Sequence, residues 1–151
     1  MVNLISDNEL IIKALACREN AYAPYSQFLV GAAVLFDSGN VYTGCNVENS
    51  SFGAANCAER TAIFAGAAAG EIKDNHRIVK VAVVGGKVGA DLDFCPPCGI
   101  CLQVISEFAA DSQDCEIILA KVKSENGRQI IADSKKYSLS QLLPMGFALS
   151  E

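Results

Sequence analysis

The sequence has little positive charge and no cluster of basic residues. Its 151 residues include 12 Lys and Arg against 17 Asp and Glu, which gives a net charge of -5. Because proteins bind nucleic acid largely by neutralising phosphates with Lys and Arg, this balance argues against a nucleic-acid partner. The chain also lacks low-complexity tracts and internal repeats, and its length suits one domain. We therefore expect a single folded domain over residues 1–151.

Long apolar runs and targeting segments are missing as well. The first 13 residues contain no basic region and include Asp7 and Glu9, and the longest uncharged stretch, residues 20–36, is interrupted by Pro24. This pattern predicts neither a secretion signal nor a membrane span, so we expect a cytoplasmic protein. In the cytosol the seven cysteines should stay reduced, and clustered cysteines there indicate metal binding or catalysis more often than disulfides.

What the sequence does contain is a regular alternation of helical and strand patterns. Four segments have helical spacing or capping residues: 6–20, 56–69, 98–110 and 139–143. Five short segments bounded by turn residues predict strands: 28–36, 41–47, 78–84, 116–122 and 128–132. Nearly continuous apolar strands are typical of a sheet that is covered on both faces. The sequence therefore predicts an α/β protein, a three-layer α/β/α sandwich around a five-stranded mixed sheet with an antiparallel hairpin at each end.

Residues 94–101, FCPPCGIC, contain three cysteines at overlapping C-x-x-C spacings. Extended backbone around the two prolines would put the Cα of Cys95 about 9 Å from that of Cys98, beyond the roughly 7 Å reach of a disulfide. Cys98 and Cys101 fall at i and i+3 on the first turn of a helix, where their side chains share a face and can reach one tetrahedral zinc ion. We expect Cys95 to be a bystander.

A third zinc ligand is expected at the start of another helix, where the helix dipole lowers the pKa of a thiol. Cys57 has that position, with Asn56 as the expected helix cap. Three protein ligands leave a fourth position open, as in catalytic zinc sites. His76 lies in a charged segment and is interpreted as a solvated side chain. The remaining cysteines are interpreted as small buried apolar residues: Cys17, Cys45 and Cys115.

Glu59 and Arg60, which follow Cys57 in the same helix, complete this candidate site. Glu59 is a candidate proton carrier if it shares the first helical turn with Cys57 and the metal lies beyond the helix end. Arg60 can donate hydrogen bonds to thiolate sulfur and offset the negative charge that three thiolates leave on Zn²⁺. Alone, C-A-E predicts only a capped helix with a solvated acid. Followed by P-C-G-I-C, it matches the pattern of zinc-dependent nucleobase deaminases.

Five motifs, in this order along nearly the whole chain, resemble those of the small three-cysteine cytidine deaminases. They are AYAPYSQFLVGAAV at 21–34, GCNVEN at 44–49, NCAERTA at 56–62, PCGICLQVISE at 97–107 and LLPMGF at 142–147. The resemblance implies one Zn²⁺ per chain, held by Cys57, Cys98 and Cys101. It implies that Glu59 carries protons, and that the protein is a homotetramer.

The resemblance also implies a substrate and its contacts. Asn46 and Glu48 would hydrogen-bond the ribose, and Phe28 would pack beside the nucleoside. The backbone N–H of Ala58 would hold the base carbonyl, and Phe147 would cover the base from a neighbouring subunit. The implied reaction is the hydrolytic deamination of cytidine and 2'-deoxycytidine to the uridine nucleosides and ammonia, as part of pyrimidine salvage.

Two positions depart from the family pattern. Leu102 stands where the family usually has Arg, so Arg60 would carry more of the charge compensation, and Phe52 stands where Tyr is frequent. Two other functions stay open: a deaminase of another small aminopyrimidine, and a structural zinc or redox module built on Cys95 to Cys101. Zinc content and an open coordination position distinguish these alternatives.

Overall fold

A computed structural model of the chain describes residues 4–150. Within these residues the helices are α1 (Asp7–Arg18), α2 (Ala58–Ala68), α3 (Gly99–Phe108) and α4 (Leu139–Leu142). The strands are β1 (Phe28–Phe36), β2 (Val41–Cys45), β3 (Ile78–Lys87), β4 (Glu116–Glu125) and β5 (Arg128–Ser138). The predicted order of helices and strands is confirmed.

The five strands form one mixed sheet in the order β2-β1-β3-β4-β5. The outer pairs, β1 with β2 and β4 with β5, are antiparallel hairpins, as predicted. β1 and β3 are antiparallel, whereas β3 and β4 are parallel. Parallel neighbours need a crossover connection, and α3 lies in the one that joins β3 to β4.

Helices cover both faces of the sheet, so the predicted three-layer sandwich is confirmed. On one face α1 packs Leu10, Ile11 and Ala14 against the sheet. On the other face α2 and α3 contribute Ala62, Ile63 and Ile105. Successive strand residues point to opposite faces, and each of these pairs divides between the two cores: Val34 and Leu35, Val81 and Ala82, Ile117 and Ile118. The central parts of the inner strands are almost entirely apolar because both of their faces are buried there.

The helix termini follow local capping chemistry. Ser6 caps α1 and forms the predicted capping box: its Oγ accepts from the Glu9 N–H at 3.2 Å, and the Glu9 carboxylate accepts from the Ser6 N–H at 2.8 Å. At α2 the predicted cap is wrong, because Cys57 rather than Asn56 is the N-cap residue. The Asn56 amide instead donates to Thr61 Oγ1 at 3.2 Å. Among residues 4–150, none of the helices combines the length and apolar character that crossing a membrane requires.

Four predicted strand ends are wrong. β3 and β4 each continue three residues beyond the predicted end, to Lys87 and Glu125. β2 stops at Cys45 rather than at residue 47. β5 continues to Ser138 rather than ending at residue 132, because its polar second half stays paired with β4, as in Ala120 with Ser134. The side chains of that half are mostly exposed, so hydrophobic spacing did not mark it.

Two glycines allow helices to lie directly on the sheet. A Cβ at Gly31 would come within 2.8 Å of the Arg18 nitrogen in α1, and a Cβ at Gly44 would come within 2.5 Å of the Ala58 carbonyl oxygen in α2. Real Cβ atoms do not approach backbone this closely, since carbon contacts are optimal near 3.5–4.0 Å. Gly44 therefore determines how close the first turn of α2 lies to β2.

Candidate active site

Three cysteine thiols from two helix starts meet at one point. Cys57 is the N-cap of α2, Cys98 is the N-cap of α3, and Cys101 lies in the first turn of α3. Their sulfur atoms all lie within 4.8 Å of one another, with 3.9 Å between Cys57 and Cys98. The cluster consists of the three cysteines that the sequence predicted as ligands.

The thiol cluster fits a tetrahedral zinc ion. Zinc–sulfur bonds of about 2.3 Å at tetrahedral angles place sulfurs about 3.8 Å apart, close to the separation between Cys57 and Cys98. Cys101 is buried, Cys57 is half-buried and Cys98 is exposed. The cavity beside the cluster is lined by Cys57 and Cys98. A fourth ligand would therefore enter from the cavity.

Arg60 connects the cluster to the body of α2. Its Nη2 donates to Cys57 Sγ at 3.3 Å, and its Nε donates to Cys101 Sγ at 3.4 Å. Hydrogen bonds from the Cys101 thiol and from Arg60 lower the pKa of Cys57, against the opposing effect of burial. Leu102, at the position where the family usually has Arg, is buried in the core. Arg60 is therefore the guanidinium that contacts the thiol cluster.

Glu59 is a buried carboxyl group beside the thiols. Its side chain is 4% exposed and lines the same cavity as Cys57. Burial raises the pKa of Glu59 above its ordinary value, since desolvation disfavours the charged form. The first part of the condition set by the sequence is met, because Cys57 and Glu59 both belong to the start of α2. A carboxyl group with a raised pKa can both accept and donate a proton near neutral pH.

The cavity has a volume of about 470 Å³ and brings together most of the predicted site residues. Asn46, Glu48, Ala58, Glu59 and Arg60 line it beside the thiols. Sequence reasoning missed several further lining residues, among them Val30, Phe52 as a wall residue, Pro96 and Ile100. Of these, only Val30 had a usable signal, because it alternates with Phe28 on β1 and so shares its face.

Asn46 and Glu48 are held in place by backbone groups of neighbouring segments. Asn46 Oδ1 accepts from the Val30 N–H, and its Nδ2 donates to the Phe28 carbonyl, both at 2.8 Å. Glu48 Oε1 accepts from the N–H groups of Tyr25 at 3.0 Å and Ser26 at 3.2 Å. Hydrogen bonding by Ser26 lowers the pKa of Glu48. Both side chains keep hydrogen-bonding capacity for a ligand, since each has donor or acceptor sites left over.

Phe28 and Phe147 are not among the cavity-lining residues of the single chain. A Cβ at Gly85 would lie 2.9 Å from Cys95 Sγ, 3.0 Å from Val30 Cγ2 and 3.3 Å from Phe28 Cε1. The side chain of Phe28 therefore lies beside Gly85 of β3, next to the cavity-wall residues Val30 and Cys95. Phe147 is 69% exposed, and its carbonyl accepts from Gln103 Nε2 at 3.0 Å.

The remaining cysteines and the histidine separate into three environments. Cys95 lies outside the thiol cluster but lines the cavity, and burial raises its pKa to about 11. His76 lies away from the cluster and contacts Asp37 through Nδ1 at 3.1 Å. Three cysteines were expected to be buried. Cys115 is buried as expected, whereas Cys17 and Cys45 are only half-buried.

Comparison with known proteins agrees with this site. Residues 5–115 match the family model described as the cytidine and deoxycytidylate deaminase zinc-binding region. The cytidine deaminase of Halalkalibacterium halodurans is 37% identical over 146 residues, which cover 96% of this chain and 97% of that protein. The chain belongs to the cytidine deaminase family. The resemblance seen in the five motifs is thereby confirmed.

Solved cytidine deaminases share the fold. The crystal structure of cytidine deaminase from Burkholderia pseudomallei superposes with a TM-score of 0.74 at 40% identity, covering 95% of this chain and 100% of that one. The Mycobacterium tuberculosis cytidine deaminase gives a TM-score of 0.70 at 35% identity, with coverage of 96% and 99%. The five-stranded α/β sandwich is therefore the fold of this family.

Proposed function

We propose that this chain is a single-domain, zinc-dependent deaminase that hydrolyses cytidine and 2'-deoxycytidine to the uridine nucleosides and ammonia. One observation carries the proposal: a buried carboxyl group, Glu59, and a cluster of three thiols share one cavity with Asn46 and Glu48. The relatives named above are cytidine deaminases. The reaction breaks a C–N bond by hydrolysis, so the chain is a hydrolase.

Cys57, Cys98 and Cys101 would hold one zinc ion per chain. When bound, zinc supplies Lewis acidity that makes water a usable nucleophile near neutral pH. Arg60 stabilises the thiolate form of Cys57 and Cys101 through its two hydrogen bonds. The N-termini of α2 and α3 add positive potential at the same sulfurs.

Glu59 moves the protons of the reaction. It takes a proton from the attacking water and delivers it to N3 of the cytosine ring as C4 is attacked. It then takes the proton of the hydroxyl group now on C4 and passes it to the amino group, which leaves as ammonia while C4 becomes a carbonyl carbon. Burial supports this role because it raises the pKa of the carboxyl group, and a pKa nearer the working pH makes proton transfer in both directions efficient.

The substrate would be recognised at both of its ends. Asn46 and Glu48 would hydrogen-bond the ribose hydroxyls through the donor and acceptor sites that are not used by their backbone partners. Ala58 is the first residue of α2 and lines the cavity; its N–H has no intrahelical acceptor, so it can donate to the base carbonyl. The carboxylate of Glu48 would repel phosphate, which favours a free nucleoside over a nucleotide.

A neighbouring copy would complete the site. Phe147 is mostly exposed and lies outside the cavity of its own chain, which is what covering the base of another subunit requires. The resemblance to the three-cysteine deaminases supports a homotetramer, in which Phe28 would pack beside the nucleoside. The proposal extends to a cytoplasmic enzyme of pyrimidine salvage, where reduced thiols would stay available for zinc.

The experiment compares Glu59→Gln with Glu71→Gln, which replaces a second carboxyl group that is also 4% exposed. Glu71 hydrogen-bonds Ser38, Asn40 and Tyr42 outside the cavity. We expect Glu59→Gln to keep zinc but lose about 10²- to 10⁴-fold in kcat for cytidine, whereas Glu71→Gln keeps kcat. The loss of ultraviolet absorbance and the release of ammonia are the measurements.

The same assay separates the substrate classes. Cytidine and 2'-deoxycytidine should be turned over, and free cytosine should not, because it lacks the ribose that Asn46 and Glu48 are assigned to bind. Turnover of cytosine in preference to cytidine would contradict the ribose assignment. Near wild-type turnover by Glu59→Gln would contradict the proton-carrier assignment.

A further inference from the structure

Two cysteines that the candidate active site does not use lie close together on the opposite face of the sheet. Cys45 is the last residue of edge strand β2 and pairs directly with Gly31 of β1. Residues directly opposite in an antiparallel pair project to the same face, with Cβ atoms about 5 Å apart. A Cβ at Gly31 would lie 2.9 Å from Arg18 Cβ. Cys45 therefore faces the last turn of α1, where Cys17 precedes Arg18.

A cavity confirms that the Cys17 side of α1 faces β2. The cavity has a volume of about 320 Å³ and is lined by Lys13, Ala16, Cys17, Asn20 and Thr43. Thr43 lies two residues before Cys45 on β2, so both side chains project to the α1 face. Gly44, between them, faces α2. The Cys17 and Cys45 pair is thus separated by the sheet from the thiols that form the candidate zinc site.

The two thiols are neighbours and both are partly accessible. Burial raises the pKa of the Cys45 thiol, and the neighbouring Cys17 thiol raises it further. Both residues are half-buried, unlike Cys115, and Cys17 opens onto the cavity. Neighbouring accessible thiols of this kind are the arrangement from which a disulfide forms, provided that the Cα atoms lie within about 7 Å.

We propose that Cys17 and Cys45 are a dithiol that closes reversibly into a disulfide, which ties α1 to edge strand β2, on reaction with a low-molecular-weight disulfide R–S–S–R. The thiolate of Cys17, which opens onto the cavity, attacks one sulfur of R–S–S–R and displaces R–S⁻. The thiolate of Cys45 then attacks the Cys17 sulfur and displaces the second R–S⁻. Two protein thiols are oxidised, one R–S–S–R is reduced to two R–SH, and the protons of the two thiols end on these products.

The tether would act on the strand that leads into the candidate substrate contacts. β2 is an edge strand, paired only with β1 in the described sheet, and Asn46 follows Cys45 directly. A covalent bond from Cys45 to α1 would prevent this end of β2 from separating from the sheet. The bond itself depends on Cys17 and Cys45 alone, so its test does not require the proposed function to be correct.

Peptide mapping tests the proposal on the zinc-loaded full chain. The protein is incubated with glutathione disulfide, its free thiols are blocked with iodoacetamide, and it is cleaved after Lys, Arg and Glu. This cleavage places Cys17 in residues 14–18, Cys45 in residues 20–48 and Cys57 in residues 49–59. We expect a linked species joining 14–18 to 20–48 that disappears on treatment with a reducing agent.

Three variants provide the controls. The linked species should be absent from Cys17→Ser and Cys45→Ser, which should each retain one glutathione on the remaining thiol, and present in Cys115→Ala. Closing the loop between residues 17 and 45 should raise the Tm of the wild-type chain by about 5–10 °C, with no rise in either Ser variant. The proposal is overturned if residues 14–18 and 20–48 stay unlinked, or if Cys45 links instead to Cys57.

Discussion

Gly44→Ala should damage the candidate active site although residue 44 does not line the cavity. The added Cβ would lie 2.5 Å from the carbonyl oxygen of Ala58, 2.9 Å from Thr61 Cβ, and close to the backbone nitrogen of Ala62. Carbon contacts are optimal near 3.5–4.0 Å, so the helix must retreat by about 1 Å. The obstacle is helix backbone, which cannot rotate out of the way as a side chain can.

The displaced segment is the first turn of α2, which carries Cys57, Glu59 and Arg60. Overpacking of this kind costs about 1–3 kcal/mol of the free energy of unfolding. Moving catalytic groups by about 1 Å costs about 10²-fold in rate, which corresponds to about 2.7 kcal/mol of transition-state stabilisation. We therefore expect kcat/KM for cytidine to fall by about 10²-fold, together with a lower Tm and weaker zinc retention.

The matched control is Gly66→Ala in the same helix. Its Cβ would meet the ring of Phe36 at 2.6 Å, about 13 Å along the helix from Cys57 at 1.5 Å per residue. This variant should lose stability but keep kcat/KM within about threefold of wild type. Wild-type kcat/KM, zinc content and Tm in Gly44→Ala would refute the claim that Gly44 determines the position of the site.

Three further outcomes are expected. Arg60→Gln should weaken zinc binding by about 10- to 100-fold in a competitive chelator titration, because both sulfur hydrogen bonds from the guanidinium are lost; an unchanged affinity would contradict its role. Removing zinc with a chelator should abolish deamination and lower the Tm, and added zinc should restore both. Glu71→Gln should lower the free energy of unfolding at pH 7 by about 1–3 kcal/mol. Burial would raise the pKa of Glu71, but hydrogen bonds from Asn40, Ser38 and Tyr42 outweigh it and lower the pKa below 4.5. The stabilisation should therefore be complete above pH 4.5 and disappear as the pH falls through the lower folded-state pKa; a denaturant titration in which the difference between wild type and Glu71→Gln does not shrink below pH 4.5 would contradict this.

The sequence by itself determined the order of helices and strands and the composition of the thiol cluster. A sheet whose strands are apolar on both faces is buried when helices pack on each side of it. Cys57, Cys98 and Cys101 could be selected because capping and proline geometry act over three or four residues. Such local effects need no knowledge of the tertiary fold.

Local patterns failed where a partner segment decided the outcome. The polar second half of β5 is a strand because β4 accepts and donates its backbone hydrogen bonds, which hydrophobic spacing does not record. Phe52 belongs to the cavity because the turn at Phe52–Ala54 lies beside it. No local pattern in the sequence could assign Phe52 to the cavity wall.

Tertiary structure also decided which cysteines are buried and which meet. From the sequence, Cys17 and Cys45 were interpreted as ordinary core residues, because a single cysteine within a helix or strand is not distinguished by any sequence pattern. The close approach of α1 to the sheet at Gly31 brings them together, and the sheet then separates them from the other thiol cluster. Contacts between residues far apart in the chain depend on how the layers pack, and that packing is a property of the whole fold rather than of any one segment.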